Sequence, residues 1–324
     1  LSEHYGTPIT RSSLQRAIVD GKILINGLVC KANQRLRVQD TITALERPPE
    51  VRVLTPCAMP LNVLYEDDYV LVLNKPAGIT VHPGAGTTQP TLIEGVLAYV
   101  DKMESQPRDL RPGVVHRLDR DTTGVMVFAK TAAAHLDLSK QFHDKTNERT
   151  YIAILDGNLA WAPSTWESYL HRDPHNRVRF ASTPREEVES RFSIKKIPSA
   201  YRLAKTLFTP TAYFGHSFTE VEAQLFTGRT HQIRVHAQLA GAAVLGDPLY
   251  QRKRMYPKTF PPAILEAITG LRRQMLHATR LGFFHPESRE WMSFEAPVPH
   301  DFANLLSLLE PFRRKGTLPT HKTP

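Results

Sequence analysis

Two unbroken apolar runs, Val70-Leu71-Val72-Leu73-Asn74 and Val125-Met126-Val127-Phe128-Ala129-Lys130, read as buried strands. Residues 218–226 alternate instead. Thr219, Val221, Ala223 and Leu225 take one face and Glu220, Glu222 and Gln224 the other, which predicts a strand with one wet face. Residues 148–155 read as a further strand, and Gln274–Ala278 with Leu281–Pro286 as the last strands of a domain. Helices are predicted over 92–100, over the Ala-rich 131–144 with Leu136, Leu138 and Phe142, and over 301–310. Residues 227–241 turn from a strand into a helix, with Thr230 as the cap and Gly241 as the stop. His231, Arg234, Val235 and Gln238 then share a helix face. Residues 251–270 read as a loop with a helix. Residues 157–210 show no clean period and read as irregular strands and loops.

The first 46 residues have their own pattern. Ser12 is a cap for a helix over 12–21, where Leu14 and Ile18 lie four apart and Gly21 ends the turn. Ile23-Leu24-Ile25-Asn26-Gly27-Leu28-Val29 is a hairpin on an Asn-Gly turn, and 38–43 is a closing strand. Arg11, Arg16, Lys22, Lys31, Arg35 and Arg37 surround these elements. Pro48, Pro49, Pro56 and Pro60, with charges and no period, mark a semi-rigid linker. The expected organisation is a small module over 1–46, a linker over 47–60, one large domain over 61–312, and a basic disordered tail over 313–324.

The formal net charge of +9 favours a polyanionic partner, nucleic acid before others. Cys30 and Cys57 support neither a disulfide scaffold nor a structural zinc site, so a reducing, cytoplasmic compartment is expected. No apolar run reaches the length of a membrane span, and the first five residues carry no secretory pattern. The chain does not begin with Met, which leaves open a missing N-terminal piece. His231 and His236 are five apart, no HExxH is present, and the glycines of 82–88 form neither a Walker loop nor GxGxxG.

The chemistry concentrates in Val114-Val115-His116-Arg117-Leu118-Asp119-Arg120-Asp121-Thr122-Thr123-Gly124. A dense polar knot between apolar runs is costly unless its charges are paired. On residue types alone it is either a solvated surface turn or a site. His-Arg-Leu-Asp-x-x-Thr-Thr-Gly closely resembles the signature of the RluA family of RNA pseudouridine synthases. A second match is the acidic-Tyr-strand-Asn-Lys-Pro-x-Gly segment over 64–78, and a third is Thr227-Gly228-Arg229-Thr230-His231-Gln232-Ile233-Arg234-Val235-His236. Leu245-Gly246-Asp247-Pro248-Leu249-Tyr250 also reads as it does in that family. The module over 1–46 resembles the alpha-L RNA-binding motif.

The resemblance implies an α+β fold. Its central sheet is mixed and largely antiparallel, flanked by helices, and carries the small N-terminal RNA-binding domain. It implies that Asp119 is the catalytic residue, that Arg234 enters the site beside it, and that Tyr151, in its Arg-x-Tyr-x-Ala setting, lies against the target base. Arg117 is a guanidinium that stacks where a flipped base has left, a phosphate clamp, or an internal ion pair. His116, Arg229 and His231, with Arg11, Arg16 and Lys22, are candidate RNA contacts. The reaction breaks N1–C1′ of a uridine and rejoins C5 to C1′, with no cofactor and no metal. The expected partner is structured RNA, first of all large-subunit ribosomal RNA, and the expected state a monomer. Three alternatives stay open: a transfer-RNA enzyme, a non-catalytic RNA-binding or ribosome-assembly protein, and an N-glycosidase using Asp119 with Asp121.

Overall fold

The computed structural model describes residues 17–31, 33–44, 54–84, 87–100, 103, 111–160, 162–252, 256 and 260–314. The chain divides into two compact units, Leu1–Val53 and Leu54–Pro324.

In the smaller unit, β1 (Ile23–Ile25) pairs antiparallel with β2 (Leu28–Val29) and β3 (Ile42–Ala44). Asn26 and Gly27 both take positive φ, as a two-residue hairpin turn requires. The Asn26 carboxamide ties that turn to the third strand: it donates to Asp40 and accepts from the Thr41 amide, each at 2.8 Å. The closing strand is shorter than expected. It begins at Ile42 because Arg37–Asp40 is a turn, with the Arg37 amide donating to the Asp40 carboxylate at 2.8 Å. Ile23, Ile25 and Cys30 form a small core with Ala17 and Ile18. Residues 17–19 are helical. Residues 20 and 21 form a turn that ends this helix, and positions 12–16 of the expected one, with Arg11 and Arg16, lie outside the described residues. Lys22 is exposed and pairs with Asp20 at 3.6 Å.

The larger unit is built on one eleven-stranded sheet. Its strands are β4 (Val63–Glu66), β5 (Val70–Lys75), β6 (Thr123–Ala129), β7 (Glu148–Asp156), β8 (Ser164–Arg172), β9 (Phe180–Pro184), β10 (Arg202–Phe214), β11 (Phe218–Leu225), β12 (Leu276–Phe284), β13 (Trp291–Glu295) and β14 (Arg313–Arg314). The order is β4-β5-β6-β12-β7-β11-β10-β8-β9, with β13 on β12 and β14 on β10. Every pairing is antiparallel except β6 with β12. The helices are α1 (Leu92–Tyr99), α2 (Ala132–Asp144), α3 (Arg185–Arg191), α4 (Gln232–Leu239), α5 (Pro262–Gly270) and α6 (His300–Leu309).

The α+β architecture with a mixed, mainly antiparallel sheet is the one the sequence implies. One apolar cluster packs the wholly buried β6 and its neighbour β5 with Leu92, Ile93 and Val96 of α1 and Leu138 of α2. A second joins Ile154, Phe214 and Phe218 to α5 and α6 through Ile264, Ile268, Phe302, Leu305 and Leu309. The Thr131 hydroxyl caps α2 by accepting from the Ala134 amide at 3.1 Å.

Two expectations are corrected here. Residues 157–210 are regular: β8, β9, α3 and most of β10 lie in them. The ordered chain also runs past 312, because Arg313 and Arg314 pair with Phe214 and Tyr213.

Candidate active site

Asp119 lies outside the strands, in a turn just before β6. Leu118 is buried and anchors the incoming chain, and the Thr122 amide closes the turn onto the Asp119 carbonyl at 3.1 Å. Five residues on, Gly124 adopts φ +122, and a Cβ there would stand 2.2 Å from the Ala278 carbonyl oxygen. Only glycine lets β6 run this close beside β12. The turn is pinned from below by Lys75, a wholly buried lysine whose Nζ donates to the Pro76 carbonyl at 2.7 Å and the Arg120 carbonyl at 2.8 Å. Burial pushes that amine down to about 7, against the pull of Asp121 and Asp119.

Arg234 projects from α4. It donates to Asp247 through Nε (2.6 Å) and Nη2 (2.9 Å), a bidentate pair, and through Nη1 to the Asp119 carboxylate at 3.0 Å. Side-chain exposure is 5% for Arg234, 0% for Asp247 and 18% for Asp119. Asp247 is therefore spent on holding the guanidinium, and Asp119 is the carboxylate that reaches solvent. Burial opposes the Arg234 charge, but its hydrogen bonds to Asp247 and the charge of Asp119 outweigh it. The group is driven further into its charged form. The guanidinium carbon also sits 5.1 Å from the centroid of the Tyr250 ring.

The start of α4 differs from expectation. The capping residue is His231 and not Thr230, and it takes the left-handed conformation, φ 58. His231 thus lies outside the helix, where Nδ1 is 2.9 Å from the Tyr250 hydroxyl and Nε2 is 3.9 Å from Asp119. Burial lowers its basicity, and the Asp119 charge partly restores it. Gln232 organises the preceding turn. Its carbonyl oxygen accepts from the Thr227 hydroxyl and the Arg229 amide, and its amide nitrogen donates to Lys205 and Thr206.

A cavity of about 390 Å³ opens over this constellation and is lined by Asp119, Tyr151, Arg234, His231, Arg117 and Arg229, among others. Tyr151 comes from β7, where it pairs in register with Ala223 and Ala278. Burial raises its hydroxyl to about 12, with Arg149 opposing and Asp119 adding, so it stays protonated and neutral. Arg117 is exposed. Arg229 is exposed and donates through Nε to the Leu203 carbonyl at 3.1 Å.

His116 also lines the cavity, as a neutral ring. Its ring stacks on Phe142 at 4.6 Å, and its Nε2 accepts the Val127 amide at 3.1 Å. An accepting nitrogen is unprotonated, and burial pushes the imidazole down to about 3, so it cannot serve RNA as a cation. Asp121 is paired with Arg120 at 3.2 Å and does not line the cavity. The two-carboxylate glycosidase pair is therefore not assembled. Among the described residues no group of three or more His, Cys, Asp or Glu is placed to hold a metal ion, and no helix is long and apolar enough to cross a membrane.

Three residues of this arrangement had no role assigned from sequence. Lys75 and Asp247 lie within stretches already singled out, but nothing in their spacing shows burial. Arg149, which also lines the cavity, is the arginine of the Arg-x-Tyr-x-Ala setting, and nothing in that spacing shows that it is buried.

A cleft in which one arginine joins a reachable aspartate to a buried one, on a mixed sheet that also brings up a buried tyrosine, matches a known class. The family model described as RNA pseudouridylate synthase matches residues 69–239, a span that includes Asp119, Tyr151 and Arg234. The chain belongs to this family, within its RluA branch. Ribosomal large subunit pseudouridine synthase D of Neisseria meningitidis serogroup B is 38% identical over 302 residues, 93% of this chain and 75% of that protein. The uncharacterized RNA pseudouridine synthase YlyB of Bacillus subtilis is 35% identical over 307 residues, 95% of this chain and 91% of that one. The solved structure of human RNA Pseudouridylate Synthase Domain Containing 4 shares the fold, with a TM-score of 0.59 at 21% identity over 79% of this chain and 95% of that one.

Proposed function

We propose that this chain isomerises specific uridines of large-subunit ribosomal RNA, with Asp119 as the catalytic carboxylate. The observation that carries the reading is the hydrogen-bonded series Asp247–Arg234–Asp119 at the floor of the cavity. A guanidinium fixed by a buried carboxylate offers its remaining N–H to Asp119. That bond stabilises the ionised carboxylate and orients it toward the space where a ribose C1′ would sit. The carboxylate then acts on the sugar as N1–C1′ breaks; C5 bonds to C1′ and gives up its proton, and N1 takes one up. Tyr151 supplies an aromatic face for the uracil. Held protonated, it is a poor base and a better donor and wall. The target base must leave its stack, and Arg117, exposed beside the cavity, is the cation placed to fill the gap or clamp a phosphate.

The ribosomal target is supported by the names of several relatives and by the basic N-terminal unit, which we read as an RNA-binding module. Cytoplasmic action as a monomer completes the proposal. The test is product analysis. Purified protein is incubated separately with large-subunit ribosomal RNA and bulk transfer RNA, and isomerised uridines are mapped. Pseudouridine at a few ribosomal positions is expected. Modification of transfer RNA alone would move the substrate assignment, and free uracil would mean a glycosidase.

A further inference from the structure

Among the described residues, Arg149 is a buried cation without a carboxylate partner. It lies on β7, 7% exposed, and its Nε is buried with no hydrogen-bond acceptor. Its contact is with an aromatic face: the guanidinium carbon is 5.5 Å from the Phe142 ring centroid. A buried cation in this state costs several kcal/mol by the rule that desolvation must be repaid by pairing. Two other deeply buried arginines are repaid: Arg234 has Asp247 and Asp119, and Arg273 has Asp301.

Two further observations show where the missing partner belongs. Arg149 lines the same cavity as Asp119, and it lies two residues before Tyr151, so the two side chains leave β7 on one face. On the other side it abuts Gly228. A Cβ at that glycine would come within 2.6 Å of the Arg149 Nη1, so the bare backbone of the Thr227–Thr230 turn makes the room in which the guanidinium lies. Asp119 is the one carboxylate among the described residues lining the cavity, and its charge is already engaged by Arg234, whereas Arg117 and Arg229 add positive charge.

The anion that neutralises Arg149 therefore comes with the substrate. We propose that Arg149 is a binding residue for a backbone phosphodiester of the RNA, at the target uridine or the nucleotide next to it, and that Gly228 keeps this seat open. This rests on the RNA-modifying reading of the cavity and adds to it a specific recognition residue. RNA offers negative charge only at its phosphates, and the planar fork of arginine matches two of their oxygens. A uracil carbonyl would supply an acceptor and leave the charge unbalanced.

The experiment uses the full chain and a large-subunit ribosomal RNA stem-loop that the wild type binds, with methylphosphonates replacing its phosphates one at a time. Affinity is read by fluorescence anisotropy at several salt concentrations. The wild type is expected to lose about tenfold in affinity at one linkage, the size of a lost charge-assisted bond. Arg149→Gln should bind unmodified RNA about tenfold more weakly, with a salt slope lower by about one. It should then be insensitive to that linkage, so the two losses do not add. Arg149→Lys should keep the linkage sensitivity in part, and Gly228→Ala should weaken it. A structural role would move the melting temperature of Arg149→Gln sharply downward. Removal of an unpaired buried charge should leave it level or raise it.

The proposal is overturned if every neutral linkage costs Arg149→Gln as much as it costs the wild type, or if no linkage matters to the wild type. Isomerisation of the unmodified stem-loop by the wild type is scored separately. Its absence would refute the proposed function while the binding result still decides the phosphate seat.

Discussion

Arg234 makes three charge-assisted hydrogen bonds, and two of them go to a carboxylate that solvent does not reach. The fork geometry is the point of the residue. Arg234→Lys keeps a positive charge but offers no planar pair of donors to Asp247 while reaching Asp119. Its kcat is expected to fall at least about a hundredfold, the loss typical for one preorganised donor in a site. RNA affinity should change little. A single-turnover assay beside a binding curve separates the two, and a variant that loses binding but not the bond-making step would contradict this role. Asp247→Ala strands a buried guanidinium, so about 3–5 kcal/mol of stability should go with it, as for a broken buried pair. Denaturant unfolding reads that loss. The sequence shows Asp119 and Arg234 through the wording of two stretches. Their meeting, across 115 positions, is a fact of the fold. Asp247 stands next to Pro248 and reads as a turn residue, and its burial follows from tertiary packing that no local pattern encodes.

At the scale of elements, the contact between β6 and β12 sets where Asp119 stands. Gly124→Ala drives a methyl into the backbone of Ala278, which cannot move aside as a side chain tip would. A loss above about 2 kcal/mol is expected, in the upper range for single substitutions, with activity falling in parallel. Activity retained at full stability would show that the close approach is dispensable. Histidines packed between elements make a second, pH-dependent expectation. His116 and His236 are pushed by burial to about 3 and about 4, and His82, by burial and then by Arg111 and Arg117, to about 4. Unfolded histidine titrates near 6.5. Between that value and about 4 the unfolded chain binds protons that the folded chain refuses. The stabilisation is therefore complete above pH 6.5 and is lost as pH falls through the folded values. The melting temperature should drop steadily from pH 7 to pH 4.5, a window that begins above carboxylate titration. His236→Gln, at a ring bonded to Ser168 and Thr206, should flatten part of that slope. A flat profile for the wild type would contradict the buried neutral rings.

Strands β5 and β6 are legible through Val70–Leu73 and Val125–Phe128, large apolar residues that are all buried, and β7 and β11 through Ile154, Leu155, Val221 and Leu225, although the polar Arg149, Thr219 and Glu220 are buried in them too. β10 is not, for a physical reason. Its inward positions include Ala204, Thr206, Pro210 and Ala212, small or polar residues that carry little hydropathy signal, and Pro210 sits at a bulge in its pairing with β11. The cap of α4 failed for a related reason. Thr230 is the better capping residue type, but the hydrogen bonds of Gln232 to Thr227, Lys205 and Thr206 fix the turn one residue later.

For the whole molecule, the proposed function assigns RNA affinity in part to the net charge of +9 and the separate N-terminal unit, and the chemistry to the larger unit. Deleting residues 1–46 should weaken binding to long ribosomal RNA and reduce its salt slope, because fewer phosphates are neutralised. The rate at saturating RNA should survive. An unchanged slope would remove the N-terminal unit from the RNA interface. The division near residue 53 falls within the proline-rich stretch expected as a linker, where proline lacks the amide hydrogen that a ladder or helix interior uses.

Everything in the account converges on the carboxylate of Asp119. Asp119→Asn keeps the side-chain shape and removes the charge. In one preparation, ribosomal RNA binding and nucleoside composition after incubation are measured for this variant and the wild type. The variant is expected to bind RNA within about threefold of the wild type, less than the tenfold that about 1.4 kcal/mol represents, and to form no pseudouridine. Pseudouridine formed at the wild-type rate by Asp119→Asn would contradict it.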